Sequence, residues 1–207
     1  MAKLYPDYKG VYGADIPSAE IKFYEACANL NGDYHVFHSV GWISRTDGSA
    51  LDGEVDFLIC HPECGFLVVE VKGGRINADY ALGEWLSIDR NGRKHKIKDP
   101  FRQSMKGKFN ILSKIKGHRD WKLIRGNKFP TGHTAFFPDV DDGRALKGPN
   151  APSEIIGDRS DLDNLEAWLE KAFGYWSKNE VNSQANALGN VGIQLIQKIF
   201  ARIVQTR

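Results

Sequence analysis

Three charged side chains interrupt residues 54–72, which otherwise have the composition of a buried β-hairpin. Asp56 lies in the first apolar run, and Glu70 and Lys72 lie at the end of the second. Side chains alternate across a strand, so Glu70 and Lys72 point to one face, and an antiparallel partner can bring Asp56 beside Glu70. An unpaired charge is costly to bury unless it pairs or binds a metal. The sequence therefore predicts a hairpin that carries a chemical site.

Two carboxylates beside an ammonium group predict a site of metal-dependent hydrolysis. Asp56 and Glu70 can hold Mg²⁺ or Mn²⁺, which prefer oxygen ligands, with the backbone carbonyl of Val71 and waters completing the set. Lys72 is not a ligand while protonated, so we expect it to orient or deprotonate the attacking water, or to neutralise charge on a phosphate. The two glycines that follow lack a Cβ and would let a phosphate backbone approach closely. The alternative is an ordinary ion-pair cluster at the solvated end of a hairpin.

The positive charge of the chain is concentrated in residues 90–128. This segment holds fourteen of the 28 Lys and Arg residues against two Asp, a net charge of +12, whereas the whole chain carries +2. Such a segment is typical of a surface that binds a polyphosphate backbone, although a charge run can also be a solvated helix face. The residues predicted to bind nucleic acid are Arg93, Lys94, Lys96, Lys98, Arg102 and Lys106.

The composition favours one main domain in a reducing compartment. No apolar run is long enough to span a membrane and no signal-peptide core is present, so we expect a cytoplasmic protein with no membrane partner. Three cysteines provide no disulfide framework. Cys60 and Cys64 flank a histidine, but a tetrahedral zinc site needs four ligands and no second pair exists.

The spacing of apolar residues predicts a succession of helices and strands. Helices are predicted at 18–30, 100–116, 160–175 and 188–203, and strands at 34–42, 54–60, 66–72, 85–88, 93–97, 134–137 and 154–157. Residues 43–53 are predicted to form a polar loop. Asp99 should cap the second helix, and Ser160 or Asp161 the third. The predicted apolar stripe of the second helix consists of Phe101, Met105, Phe109, Leu112 and Ile115. This order predicts an α/β fold with a restriction-endonuclease-like core, in which helices flank a mixed central β-sheet.

The chain resembles the nuclease-related domain (NERD) of the PD-(D/E)xK superfamily over about residues 17–175. The matching pieces are residues 17–20, 53–56, 69–74 and 99–103, together with the lone Trp85. The resemblance implies that Asp56, Glu70 and Lys72 are catalytic. It further implies that Glu20 is the acid of the first helix, supporting a ligand or a second ion, and that Gln103 is the polar residue of the helix after the sheet. Gln103 would then lie near a helix N-terminus, where backbone amides can meet a phosphate.

Composition and apolar spacing predict an N-terminal arm (1–16) and a linker with a C-terminal amphipathic helix (177–207), and the resemblance implies a NERD-like domain between them (17–176). Relatives are often fused to helicase or kinase modules, so a helicase or another DNA-processing protein is the protein partner implied. This chain has no phosphate-binding loop of the ATPase type. The last region is a docking helix or the stub of a longer protein.

We therefore expect a Mg²⁺- or Mn²⁺-dependent nuclease acting on DNA, in DNA processing or repair, with RNA an open alternative. The first rival hypothesis is a module of the same fold that binds nucleic acid without cutting it, accessory to a helicase. The second is a glycosidase-like pair of carboxylates, which needs no metal and leaves the basic segment unexplained.

Overall fold

The computed structural model describes residues 1–7, 16–46, 49–124, 126, 128–179 and 187–201. The strands are β1 (Lys3–Tyr5), β2 (His35–Thr46), β3 (Ser49–His61), β4 (Gly65–Val71), β5 (Arg75–Asp79), β6 (Glu84–Ile88), β7 (Lys94–Ile97), β8 (Thr131–Phe137) and β9 (Ile156–Asp158). The α-helices are α1 (Ser18–Cys27), α2 (Pro100–Gly117), α3 (Leu165–Asn179) and α4 (Gly189–Phe200). Short 3₁₀ turns cover Arg119–Leu123, Gly143–Leu146, Ser153–Ile155 and Arg159–Asn164.

The central sheet has six strands in the order β1-β2-β3-β4-β8-β9. The strands β2, β3 and β4 pair antiparallel, whereas β1 on β2, β8 on β4 and β9 on β8 are parallel. This mixed sheet, with helices on both faces, confirms the predicted restriction-endonuclease-like α/β core.

Alternate residues of the central strands pack on opposite layers. Phe57 and Ile59 join the core under α1 and α3, whereas Leu58 and Cys60 join the core under α2 and α4. A sheet covered on both faces needs apolar side chains on both. This explains why the two hairpin strands are nearly continuous apolar runs, and why the few charged residues in them are informative.

The hairpin between β2 and β3 is longer than predicted. Residues 43–53 were expected to form a polar loop, but β2 continues to Thr46 and β3 begins at Ser49, with backbone pairing from Trp42–Gly53 to Thr46–Ser49. Backbone pairing extends this ribbon through a stretch of sequence with no regular hydrophobic alternation, so hydrophobic periodicity did not indicate it. Residues 47–48, at the tip of this hairpin, are outside the described ranges.

A second, three-stranded antiparallel sheet of β5, β6 and β7 follows the hairpin. The hairpin of β6 and β7 was predicted. Strand β5 was not, because its alternation is carried only by Ile76 and Ala78 among polar residues. The small sheet packs on the central one through Trp85, which is 2% exposed and belongs to a core cluster with Phe101 and Phe137.

The predicted apolar stripe of helix α2 is correct at Phe101 and Ile115, which are buried, but wrong in the middle of the helix. Met105 and Phe109 are 40% and 57% exposed, and the buried side instead contains Ser104, Gly107, Lys108 and Ile111. A Cβ at Gly107 would lie 2.3 Å from Cγ1 of Val55, so the helix backbone packs directly on the sheet at this glycine. The close approach determines which side of α2 is buried.

The ends of the described chain pack on the central unit. Strand β1 lies within the predicted arm, α3 continues to Asn179, past the predicted boundary at 176, and α4 contributes to the core with α2. Asp158, rather than Ser160 or Asp161, caps the turn that leads into α3, because its side chain accepts a hydrogen bond from the Ser160 amide. The predicted helix positions beyond 201 and most of the predicted linker lie outside the described residues. None of the helices in the described ranges is long and apolar enough to cross a membrane.

Candidate active site

Asp56, Glu70 and Lys72 meet where β3 and β4 run side by side. The last paired positions are Phe57 and Val69, which leaves Asp56 next to Glu70. The Val71 amide donates to Oδ2 of Asp56 at 2.8 Å, and Nζ of Lys72 lies 2.5 Å from Oε1 of Glu70 and 4.0 Å from Oδ2 of Asp56. The structure therefore brings together the three residues that the hairpin pattern singled out.

A distortion of the sheet turns Asp56 toward β4. Two successive pairs of the β2–β3 ladder are His38–Phe57 and Val40–Val55. Ser39 and Asp56 lie between these two pairs, on β2 and β3 respectively. Ser39 has a φ of 53°, which non-glycine residues rarely adopt. Phe57 packs under α1 whereas Val55 packs under α2, so the alternation of β3 reverses at Asp56. The Asp56 carboxylate consequently occupies the position where a strand partner would accept the Val71 amide.

The two carboxylates are buried and close together, and this raises the pKa of both. Burial raises the pKa of Asp56 to about 7, with repulsion from Glu70 as the next contribution. The Glu70 side chain is only 4% exposed, and burial raises its pKa despite the attraction of Lys72. Two buried carboxylates with raised pKa values are more typical of a functional site than of a structural ion pair.

The two neighbouring carboxylates stabilise the protonated form of Lys72. Burial favours the neutral amine, but Glu70 and then Asp56 outweigh that effect, so the pKa of Lys72 is raised. Lys72 is therefore an ammonium ion at neutral pH. Of the roles predicted for it, orienting water or neutralising phosphate charge agrees with this protonation state, and removing a proton from water does not.

Glu20 reaches the site from α1, with a histidine that the sequence analysis did not identify. Nε2 of His38 lies 2.8 Å from Oε2 of Glu20, and the two side chains are 2% and 14% exposed. Glu20 adds to the effect of burial in raising the pKa values of Asp56 and Glu70. The side chain of Glu25 on the same helix is exposed. His38 could have been suspected only from its position in an apolar strand.

Gln103 lies at the same site, but the backbone amides near it are not free to bind a phosphate as expected. Its Oε1 is buried and has no hydrogen-bond partner within the described part of the chain. The amides at the start of α2 were expected to be available to a phosphate, but Asp99 Oδ1 accepts hydrogen bonds from the amides of Phe101 and Arg102. The side-chain oxygen of Gln103, rather than the helix N-terminus, is the group left without a partner.

The segment after Lys72 is held by contacts that the sequence did not indicate. The Gly74 amide donates to Oδ2 of Asp139 at 2.8 Å, and the Ser87 hydroxyl donates to the Gly73 carbonyl at 2.7 Å. The two glycines were predicted to admit a phosphate backbone. A Cβ at Gly74, whose φ is 81°, would instead meet the Ile88 carbonyl at 2.7 Å. The glycines allow close packing within the protein and thereby fix the end of β4.

A cavity of about 1090 Å³ connects the predicted catalytic residues with part of the basic segment. All five residues predicted to be catalytic line it, namely Glu20, Asp56, Glu70, Lys72 and Gln103. Four of the six predicted nucleic-acid-binding residues line it as well, namely Lys96, Lys98, Arg102 and Lys106. Arg93 and Lys94 are exposed but do not line the cavity. Cations and carboxylates thus share one opening that is large enough for a nucleotide chain.

The carboxylates fit a divalent cation through their chemistry. Among the described residues, no three His, Cys, Asp or Glu side chains form a ready cluster of metal ligands. Asp56 and Glu70 nevertheless form a buried pair of oxygen donors with raised pKa values, and a bound cation would relieve their mutual repulsion. Val71 ends β4 beside them, and its carbonyl and solvent are the remaining donors predicted.

The fold and the arrangement of the site define a restriction-endonuclease-like α/β protein in which Asp56, from the middle of β3, meets Glu70 and Lys72 at the end of the antiparallel strand β4. A model of the family described as "nuclease-related domain" matches residues 18–134, more than half of the 207 residues. The chain therefore belongs to the nuclease-related domain family. No curated protein matches it. The match includes α1, the β3–β4 hairpin and α2, and with them every predicted catalytic residue.

Proposed function

We propose that this protein is a metal-dependent nuclease that hydrolyses phosphodiester bonds in DNA. The observation that carries the proposal is the convergence of Asp56, Glu70 and Lys72 in a cavity rimmed by Lys98, Arg102 and other cations. A structural ion pair needs neither a second buried acid nor such an opening.

The described contacts suggest a distinct task for each residue. The carboxylates of Asp56 and Glu70 hold negative charge where a cation can bind, and the Val71 amide fixes the orientation of Asp56. Lys72, as an ammonium ion, stabilises the additional charge that develops on a phosphate under attack. Lys98 is near enough to Glu70 to oppose the rise of its pKa that burial causes, so it can attract the phosphate chain toward the same place.

A metal ion at this site would be Mg²⁺ or Mn²⁺, held by Asp56, Glu70 and the Val71 carbonyl. Its chemistry would be to lower the pKa of a bound water and to polarise the phosphate. The Glu20 carboxylate supports this acidic end of the cavity, with His38 holding its orientation. Gln103 offers a buried acceptor for a water or a substrate hydroxyl.

A cleavage assay with the purified protein tests the proposal. Single-stranded, duplex and branched DNA, and RNA of the same sequence, are incubated with Mg²⁺, with Mn²⁺ or with EDTA. We expect cleavage of DNA with either metal and none with EDTA. The Glu70→Gln variant should be inactive, whereas Glu63→Gln, a matched change at an exposed position, should leave the rate unchanged.

Binding measurements separate this proposal from its main rival. If the wild type binds DNA but does not cut any of these substrates with either metal, the protein is a nucleic-acid-binding module of the nuclease fold. Its partner would then be a helicase or another processing protein. A substrate preference for RNA would change the assigned substrate and leave the assigned residues in place.

A further inference from the structure

A second cavity, of about 410 Å³, adjoins the catalytic one beside α2. The two cavities share Gly83, Asp99 and Arg102 in their walls. The Arg102 side chain is 81% exposed and therefore accessible from both sides. A ligand that enters the catalytic cavity can extend into the second one without leaving the surface of the protein.

His133 supplies a buried polar group at this second cavity that has no hydrogen-bond partner within the described ranges. The residue is 8% exposed and forms part of the cavity wall. Its Nδ1 is buried and lacks a hydrogen-bond partner among the described residues. Its ring lies against Trp176, with the centroids 4.5 Å apart, so it is held in place. A buried polar atom without a partner costs stability, which a ligand with a complementary group would recover.

The remaining walls suit a flat aromatic ligand. The Tyr80 hydroxyl donates to the Leu146 carbonyl at 2.6 Å and its ring packs edge-on against Trp85, so the Tyr80 ring is fixed. Met105 is 40% exposed and lines the same cavity. Asn150, also exposed, adds an amide whose only hydrogen bond among the described residues is a long one of 3.4 Å to Asp99. Apolar faces with polar groups at the edge match the surface of a nucleobase.

We propose that the second cavity holds one unpaired nucleobase of the strand whose backbone occupies the catalytic cavity. This inference rests on the proposed nuclease function and specifies its substrate class. A base within a duplex is stacked and paired, so its edge is not free to enter. The preferred substrate is therefore single-stranded or locally unpaired nucleic acid. Arg102, between the two cavities, would contact the phosphate that links the base to the site of cleavage.

Binding of mononucleotides to the full chain tests the proposal without requiring cleavage. The affinities of the four 2′-deoxynucleoside 5′-monophosphates and of 2-deoxyribose 5-phosphate are compared by NMR titration in the absence of metal. We expect at least one nucleotide to bind roughly fivefold to tenfold more tightly than the sugar phosphate, because stacking and edge contacts add to affinity. The variants His133→Phe and Asn150→Ala should each reduce that advantage to about twofold or less. Asn91→Ala, a change at an exposed turn, is the control.

Two results would overturn the assignment. One is equal affinity of the wild type for all five probes. The other is that His133→Phe and Asn150→Ala both still prefer the nucleotide over the sugar phosphate as strongly as the wild type does. Should His133→Phe lose its fold in a thermal melt, Asn150→Ala decides, because Asn150 is exposed. The nuclease function is tested separately. If the protein cleaves DNA but binds nucleotides no more tightly than the sugar phosphate, only the base pocket is rejected. If it binds a nucleotide more tightly than the sugar phosphate but cleaves nothing, only the nuclease function is rejected.

Discussion

Asp56 should make the metal-free protein less stable as the pH rises. Its pKa is 3.8 without perturbation and about 7 in the folded protein. The folded state therefore holds this proton more tightly than the unfolded state, and the resulting stabilisation is complete below about pH 4 and is lost as the pH rises to about 7. Asp56→Asn keeps an acceptor for the Val71 amide and removes the charge. We expect the variant to exceed the wild type at pH 8 by roughly 1 to 4 kcal/mol in free energy of unfolding.

Urea denaturation at pH 4, 6 and 8 in the presence of EDTA measures this effect. The difference between Asp56→Asn and the wild type should grow with pH, whereas Asp163→Asn, a change at an exposed position, should show no such growth. A difference that is constant with pH would mean that Asp56 is already ionised in the folded protein at low pH.

Lys72 should be required as a cation in one specific position. Lys72→Met should lower the cleavage rate roughly a hundredfold or more while the protein stays folded, because Glu70 can take up a proton rather than remain as an unpaired charge. Lys72→Arg should restore little activity, because a planar guanidinium does not occupy the place of a compact ammonium group. Single-turnover rates and thermal melts of both variants provide the comparison. Full activity in Lys72→Arg together with an unfolded Lys72→Met would identify Lys72 as a structural cation.

At the scale of elements, the cations along β7, the loop after it and the start of α2 fall into two groups, one that lines the large cavity and one that does not. Lys98 and Lys106 line the cavity that contains the predicted catalytic residues, whereas Arg93 and Lys94 do not. The double variant Lys98→Gln/Lys106→Gln should weaken DNA binding and lower the slope of log affinity against log salt by about 2, since each phosphate contact contributes about 0.9. Arg93→Gln/Lys94→Gln removes the same charge and should change the slope far less. Fluorescence anisotropy over a range of salt concentrations measures the slope for each double variant. Equal slopes would mean that the cavity-lining cations bind DNA no more than Arg93 and Lys94 do.

The elements that the sequence predicted well are those with a clear hydrophobic period. The β3–β4 hairpin and the Asp99 cap of α2 have local signals and appear as predicted. The polar ribbon of β2 and β3 and strand β5 are stabilised by backbone pairing, which leaves little trace in composition. The prediction for α2 is wrong only at Met105 and Phe109, in the middle of the helix, where Gly107 packs closely on Val55, a contact between distant segments.

At the scale of the whole molecule, the chain could be assigned to its fold, and its candidate residues named, before their contacts were known. The reason is that carboxylates in buried strands stand out against apolar neighbours. The residues that hold the site in place lie far away in the sequence. His38 contacts Glu20, and Asp139 accepts a hydrogen bond from the Gly74 amide. The distortion at Ser39 that turns Asp56 toward β4 is likewise a property of paired strands. None of these has a sequence signature of its own.

The most direct test of the nuclease assignment is a single-turnover cleavage measurement on a labelled single-stranded DNA. The wild type, Glu70→Gln and Glu63→Gln are purified in parallel and supplied with Mg²⁺ or Mn²⁺. We expect cleavage by the wild type and by Glu63→Gln, and a loss of roughly a thousandfold or more in Glu70→Gln, since that change removes the charge of a predicted ligand. Equal cleavage by all three preparations, or undiminished cleavage in EDTA, would contradict it.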